Sequence, residues 1–292
     1  RSLLHPPRSL LRQEILDMMG IPVTAAAEIP GMTMEIRVTA TVEIPDMTEI
    51  PVMMIEKTPL AFRHELKHLI TPAEDRIVSE RLGRLFQRDS HAGPDGTYWV
   101  NSLYFDTPED KAFLQKIHGV NEREKFRIRY YGDAPEFLRL EKKIKKGGLC
   151  SKRSARLTYE QAVSLLNGHI NFLLESGDAL MVELYSKMRG ELLSPRTIVR
   201  YEREAYIFKP GNVRVTLDRK LSTDISCGTF LKPRHNTIKP ASESTVLEVK
   251  YDAFLPDIVR MAVQTPDRKT GAYSKYAVCR NADVVFEYIK KG

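Results

Sequence analysis

Phe126-Arg127-Ile128-Arg129-Tyr130-Tyr131-Gly132 and, after five intervening residues, Leu138-Arg139-Leu140-Glu141-Lys142-Lys143-Ile144-Lys145 carry one pattern twice. Apolar and charged side chains alternate. Successive side chains of a strand point to opposite faces, so each run is a strand with one apolar and one charged face. The habit recurs on either side. Arg63, Glu65 and Lys67 alternate with Phe62, His64 and Leu66. Arg214, Thr216 and Asp218 alternate with Val213, Val215 and Leu217, and Glu248 and Lys250 with Leu247, Val249 and Tyr251. Val199 to Tyr206 reads as a sixth strand with less clean faces.

One such strand alone would fit a meander with its charged face in water. The set points elsewhere. Solvated faces normally mix Thr, Ser and Gln with charges, whereas these hold almost only Arg, Lys, Glu and Asp. The helices between the strands also need an apolar face to cover, and only the opposite one is offered. A sheet curled with its charged faces inward and its helices outside satisfies both demands, and closure removes exposed edges. The expected fold class is therefore α+β, an antiparallel barrel-like tunnel with a charged lumen, flanked by helices. Like charges crowded in a lumen are costly without a counter-ion. Because the excess is cationic, the fitting guest is a polyanion carrying a divalent metal: Arg forks and Lys ammonium groups match phosphate oxygens, and carboxylates match Mg²⁺ or Mn²⁺.

Composition agrees. The chain has 292 residues, with 45 Lys and Arg against 38 Asp and Glu, a formal charge of +7 that favours an anionic partner. No run approaches the roughly 18 apolar residues of a membrane span. Cys150, Cys227 and Cys279 form no CxxC pair, which argues against a structural zinc or a disulfide framework and for a reducing compartment. Residues 1–56 read as a flexible or loosely packed leader: Pro22 to Thr33 is nearly repeated, 15 residues on, at Arg37 to Thr48, and the prolines interrupt any strand ladder. Residues 57–292 read as one domain without a Gly- or Ser-rich linker. Helices are expected after Thr71, with Ile77, Leu82, Leu85 and Phe86 on one side; after Thr107, ending at Gly119; after Thr158; over Phe172 to Met188; over Pro256 to Gln264; and over Ala282 to Lys290. Neither GxxxxGK[ST] nor a strand-borne GxGxxG occurs, which argues against P-loop and dinucleotide sites. The basic run Lys142 to Lys146 has no interleaved aromatics, which argues against nucleic acid. His64 and His68 have ligand-like spacing but share the face opposite Lys67 and are read as structural.

Eight segments in order, Arg63-His64-Glu65-Leu66-Lys67, Ser102 to Asp106, Arg127 to Gly132, Leu140 to Lys143, Tyr201 to Tyr206, Val213 to Asp218, Leu247 to Lys250 and Ser274-Lys275-Tyr276, together resemble the VTC domain, the polyphosphate polymerase branch of the triphosphate tunnel metalloenzymes with their CYTH-like fold. The resemblance spans about Pro59 to Ile289. It implies synthesis of inorganic polyphosphate from the terminal phosphate of ATP, with Mn²⁺ or Mg²⁺. It further implies that Arg127, Arg129, Lys143, Arg203 and Arg214 act on the transferred phosphate, that Lys67, Lys152, Lys250 and Lys275 bind phosphate or nucleotide, and that Glu248 holds the metal. Lys152 lies in a segment, Lys145 to Arg153, read as a loop, and Lys275 is expected at one tunnel mouth. Glu65, Glu141 and Asp218 are read as partners that orient the basic side chains. Arg63 stands where other tunnel enzymes carry the first acid of an acidic-basic repeat, which suits the polymerase branch. Tyr104, Tyr131 and Tyr276 are candidate neighbours of a nucleobase. The same tunnel would also suit a triphosphatase or polyphosphatase, or a non-catalytic module that binds polyphosphate or inositol phosphates. The expected setting is cytoplasmic, at the face of a membrane-associated partner, with the oligomeric state open.

Overall fold

The computed structural model describes residues 61–224, 226–232, 237–239, 244–266, 269–270 and 273–289. The 1–56 segment with its repeat and Lys290, the last residue of the expected closing helix, lie outside them.

Eleven strands are present among these residues: β1 (His64–Ile70), β2 (Gln87–Arg88), β3 (Thr97–Asp106), β4 (Arg123–Tyr131), β5 (Leu138–Lys146), β6 (Leu149–Leu157), β7 (Ser194–Phe208), β8 (Val213–Asp224), β9 (Thr237–Ile238), β10 (Thr245–Tyr251) and β11 (Lys269–Thr270). The helices are α1 (Pro72–Leu85), α2 (Lys111–Ile117), α3 (Tyr159–Leu166), α4 (Asn171–Glu175), α5 (Ala179–Gly190), α6 (Asp257–Ala262) and α7 (Lys275–Ile289). The sheet runs β11-β1-β10-β8-β7-β3-β4-β5-β6, with β2 on β7 and β9 on β8, and every pairing is antiparallel. It curls until the residue before β1 meets β6: Arg63 and Cys150 exchange two backbone hydrogen bonds of 2.9 and 3.0 Å. The fold is thus α+β, a curled antiparallel sheet flanked by helices.

Register decides which face each residue takes. Arg127 stands opposite Glu141 and Tyr104, Arg129 opposite Ser102, and Lys143 opposite Lys125 and Lys152. Arg203 stands opposite Asp218, Glu248 opposite Thr216 and Lys67, and Lys250 opposite Arg214 and Glu65. Paired residues share a face, so one concave face collects these charges. The convex face is apolar and carries two cores. One holds Phe126, Ile128, Tyr130, Leu138 and Leu140 under α3, α4 and α5; the other holds Val215, Leu217, Leu247 and Val249 under α1 and α6.

Several local expectations need correction. In α1, Val78 and Leu82 are fully buried, while Ile77 and Leu85 are exposed. The helix is rotated so that Asp75 also faces the sheet, where it accepts from Arg219 at 2.6 and 2.7 Å and from Thr245 at 2.8 Å. Thr71 caps this helix with a full capping box, as Thr158 does for α3. The Thr107 segment does not repeat that grammar. Asp110 has φ 56°, and the start of α2 is held instead by the Asp106 carboxylate, which accepts from the Ala112 and Phe113 amides at 2.8 and 3.0 Å. Phe172 to Met188 is two helices, broken where Gly177 takes φ 68° and Asp178 caps α5 by accepting from the Leu180 and Met181 amides. Phe62 and Leu66 are exposed rather than covered. Lys145 to Arg153 is the β5–β6 hairpin, so Lys152 is on a strand.

The last correction bears on the site. Helix α7 starts at Lys275, earlier than expected, and does not cover the convex face. Tyr276 and Cys279 form a third buried cluster with Val100, Tyr104, Val199 and Tyr201, whose register places them on the concave side. This explains the unclean faces of β7: its concave residues contact a helix at Val199 and Tyr201 and charge at Arg203. No helix among the described residues is long and apolar enough to cross a membrane.

Candidate functional site

The concave face gathers the nine basic residues for which the resemblance implies a role, from β1, β4, β5, β6, β7, β8, β10 and the start of α7, whereas Arg63 pairs with Asp252. Arg127, Arg129, Arg203 and Lys275 are buried there, at 6–9% exposure, which for Arg and Lys requires pairing. The pairing comes from four carboxylates. Glu141, fully buried, accepts from Arg127 Nε at 2.8 Å and Nη2 at 2.6 Å on one oxygen and from Lys152 at 2.7 Å on the other. Asp218 takes a two-point fork from Arg203 at 2.6 and 2.8 Å and an ion pair from Lys275 at 2.6 Å. Glu65 meets Lys67 at 2.7 Å and Lys143 at 2.6 Å, and Glu248 meets Lys250 at 2.6 Å and Lys67 at 3.3 Å. Arg214 pairs with Asp89 and donates to the Tyr98 hydroxyl at 2.9 Å.

Hydroxyls complete the frame. Tyr104 accepts from Arg127 at 2.7 Å, and Tyr201 from Arg129 at 3.3 Å and Arg203 at 3.2 Å. Arg129 differs from its neighbours: it donates to Ser102 Oγ at 3.0 Å and reaches Glu141 only at 3.8 Å. It is the buried arginine least compensated by anions. Sequence reasoning missed Ser102 and Tyr201, which lie at concave positions of β3 and β7 where neutral residues interrupt the charge alternation.

Burial would drive all four carboxylates toward neutrality, yet each is held below its usual range. Burial opposes ionisation of Glu141, and Arg127, Arg129 and Lys152 overcome it. For Glu65, burial and Glu248 both push upward, and Lys67, Lys143 and Lys250 outweigh them. Burial likewise resists the charge on Asp218 and on Glu248, against Arg203 and Lys275 in the first case and Lys250, Lys67 and Lys275 in the second. All four are anionic at neutral pH. Nine cations (Lys67, Arg127, Arg129, Lys143, Lys152, Arg203, Arg214, Lys250 and Lys275) face these four anions and Asp89, so the face keeps a positive excess.

Sequence reasoning also missed Lys125, which extends the row two residues before Arg127 on the same face; the continued alternation Lys125, Arg127, Arg129 is the signal that marks it. Its amino group sits 4.4 Å from the centre of the Tyr276 ring. Burial, then Arg123, Lys143 and Lys67, push its ammonium down to about 7 against an opposing pull from Asp106. The unfolded chain keeps this proton to about 10.5. Between these limits the folded state binds fewer protons, so Lys125 contributes a stability gain as pH rises from 7 toward 10 and its full cost below pH 7. Lys125→Met is therefore expected to raise the melting temperature of the ligand-free protein most at pH 7 and below, with the gap closing by pH 9 to 10. A gap independent of pH would contradict the assignment.

Among the aromatics, Tyr104 and Tyr276 are buried core residues, at 9% and 2% exposure, and are not open to a nucleobase, whereas Tyr131 is 38% exposed. Lys275 is not at an open mouth: its ammonium lies 4.8 Å from the Tyr201 ring centre and on Asp218. His64 stacks on Tyr251 at 4.9 Å and His68 is buried. Among the described residues no group of three His, Cys, Asp or Glu side chains is arranged to hold a metal. Glu65 and Glu248, which meet on Lys67, offer a ledge of two carboxylates. That suits a hard cation completed by water and phosphate oxygens, as Mg²⁺ and Mn²⁺ are, and not a zinc cage.

Three solved structures are similar to this chain. A candidate adenylate cyclase from Bacillus halodurans aligns with a TM-score of 0.40 at 14% identity, covering 80% of this chain and 89% of that one. A Pyrococcus horikoshii protein aligns at 0.35 and 14%, covering 69% and 84%, and a conserved hypothetical protein from Pyrococcus furiosus at 0.36 and 11%, covering 69% and 85%. No curated protein matches the sequence. The model of the VTC domain matches residues 62–282, a span that takes in every strand and all but the last turns of α7. The chain belongs to the VTC domain family.

Proposed function

We propose that this protein is a metal-dependent polyphosphate polymerase, transferring the terminal phosphate of ATP to a growing inorganic polyphosphate chain in the concave basic site. The observation that supports this most is the buried arginine set, Arg127, Arg129 and Arg203, held in place by Glu141, Asp218 and Tyr201. Phosphoryl transfer is catalysed mainly by positioning and charge neutralisation. Donors already oriented toward the developing charge need no reorganisation during the reaction. Lys143, Arg214, Lys67, Lys152 and Lys250 line the rest of the face and would grip the flanking phosphates, with Lys275 beneath them.

The carboxylates bear on the acceptor. Held below their usual range by several cations, Glu65, Glu141, Asp218 and Glu248 are poor general bases for activating water. A phosphate oxygen is already anionic and requires no base, so the site suits transfer to phosphate better than hydrolysis. Glu248, with Glu65 beside it, would hold Mn²⁺ or Mg²⁺; bound there, the ion supplies Lewis-acid polarisation and further charge neutralisation. Glu65, Glu141 and Asp218 serve mainly to orient Lys67, Lys143 and the arginines.

Incubation with ATP and Mn²⁺ followed by gel electrophoresis tests the proposal. A ladder of phosphate polymers is expected. Free phosphate alone would assign the site to hydrolysis, and intact ATP with tight polyphosphate binding would make it a binding module.

A further inference from the structure

Arg214 is held differently from the other arginines of the concave face. Arg127 spends all three guanidinium nitrogens on Glu141 and Tyr104. Arg203 gives Nε and Nη2 to Asp218, and Arg129 gives the same two atoms to Ser102 and Tyr201, with Nη1 3.8 Å from Glu141. In Arg214 one nitrogen, Nη2, makes both contacts, donating to an Asp89 carboxylate oxygen and, at 2.9 Å, to the Tyr98 hydroxyl. A terminal guanidinium nitrogen carries two N–H groups, so both are used and the plane of the group is set. Among the described residues Nε and Nη1 have no hydrogen-bond or ion-pair partner, which leaves three N–H groups for the oxygens of a ligand. The Arg214 side chain is also 35% exposed, against 10% or less for the other three. Asp89 is the first residue after β2. There β2 runs beside β7 at Tyr206 and Ile207, and β3 takes over that edge at Glu204. The Asp89 amide donates to the Ala205 carbonyl at 2.9 Å and fixes the residue at the changeover. Its other carboxylate oxygen accepts from the His91 amide at 3.1 Å and lies 2.8 Å from His91 Nδ1. Burial resists its charge, and the His91 hydrogen bonds, then Arg214, hold the carboxyl below its usual range. One oxygen thus ties Asp89 to its own loop and the other holds Arg214.

We propose that Asp89 is a positioning residue for Arg214: with Tyr98 it aims the free N–H groups of that guanidinium at a ligand phosphate, so the segment between β2 and β3 sets the grip of this part of the face. The inference rests on the proposed phosphate site and adds to it a residue that lies outside the alternating strands. The opposite sense, in which Asp89 competes with phosphate for Arg214, is the weaker effect. At a side chain one third exposed, water screens the repulsion between Asp89 and a bound anion. An Arg side chain without its anchors, by contrast, must lose its rotamer freedom when the ligand binds. The Tyr98 ring is itself braced, edge-on to Tyr131 with centroids 5.7 Å apart.

Calorimetric titration with metal-free tripolyphosphate tests this on wild type, Asp89→Ala, Arg214→Ala and the double variant. Asp89→Ala should weaken binding about five- to tenfold. On the Arg214→Ala background the same change should cost less than about twofold, since Asp89 acts through that arginine. In turnover the loss should fall on KM for ATP and leave kcat within about twofold, because an arginine that grips a flanking phosphate binds substrate and transition state alike. If Asp89→Ala melts far below wild type, Asp89→Asn, which keeps the shape and removes the charge, carries the same comparison with the same expected direction. Unchanged or tighter binding overturns the proposal. So does an equal loss with and without Arg214, which would make Asp89 a structural residue of its loop, and so does a loss confined to kcat. Each of these results leaves the phosphate site standing so long as wild type binds tripolyphosphate. Wild type that does not bind it overturns both.

Discussion

Arg129→Met is expected to lower turnover of ATP by about 10²- to 10³-fold with little change in thermal stability. The magnitude is that of removing one preorganised donor from a site of developing negative charge. The stability argument is particular to this arginine. Its close contacts are neutral hydroxyls, Ser102 at 3.0 Å and Tyr201 at 3.3 Å, and its carboxylate neighbour Glu141 is 3.8 Å away and already held by Arg127 and Lys152. Removing its charge leaves no buried anion without a partner and relieves repulsion from Arg127. Arg127→Ala should cost as much activity but also destabilise the fold. It removes a two-point contact to a fully buried Glu141, and breaking a buried pair costs about 3–5 kcal/mol when the remaining charge is left alone, less here because Lys152 stays. Arg127→Ala/Glu141→Gln should recover stability without recovering activity. Both arginine variants melting alike, or Arg129→Met retaining turnover, would count against this division of roles. Circular dichroism and an ATP-consumption assay measure the two quantities separately.

The second large effect is expected at Glu248. Glu248→Gln should raise the Mn²⁺ concentration for half-maximal activity by at least about tenfold, the scale on which even indirect disturbance of a metal site acts. Gln keeps the shape and can still accept from Lys250 and Lys67, which now lie at 2.6 and 3.3 Å, so packing is preserved while the charge that attracts a cation is lost. Loss of this anion also weakens the hold on Lys67, but Glu65 at 2.7 Å keeps it in place. Affinity for metal-free tripolyphosphate should rise slightly, since one negative charge leaves the face. An unchanged Mn²⁺ titration would remove Glu248 from the metal's shell.

The concave site was legible because β4, β5, β8 and β10 alternate over most of their length, with Glu124 and Lys142, which pair with each other on the convex side, as exceptions: the other convex residues meet helices, and the concave residues meet one another. Arg127 next to Ile128, and Glu248 next to Leu247 and Val249, can be placed from period two alone. The alternation failed where both faces of a strand are covered. In β3 and β7 the concave residues Val100, Tyr104, Val199 and Tyr201 pack on α7, so neutral residues interrupt the charge alternation on that face and the hydroxyl ligands Ser102 and Tyr201 to Arg129 and Arg203 went unseen. The placement of α7 itself follows from Tyr276 and Cys279 finding those residues, a long-range match that no local pattern encodes. Strand β6 was hidden by its polar sequence, since Ser151, Lys152 and Ser154 lack the β-branched and aromatic residues that mark strands. The α4–α5 break depended on one glycine with positive φ and one aspartate cap, small signals inside an otherwise helical stretch.

A crystal soaked with a non-hydrolysable ATP analogue and Mn²⁺ tests the central claim most directly. The triphosphate should lie on the concave face with its oxygens within hydrogen-bond distance of Arg127, Arg129 and Arg203 and the Mn²⁺ density beside Glu248. A triphosphate found on the convex surface, with these arginines still engaged only by Glu141, Asp218 and the tyrosines, would contradict the account.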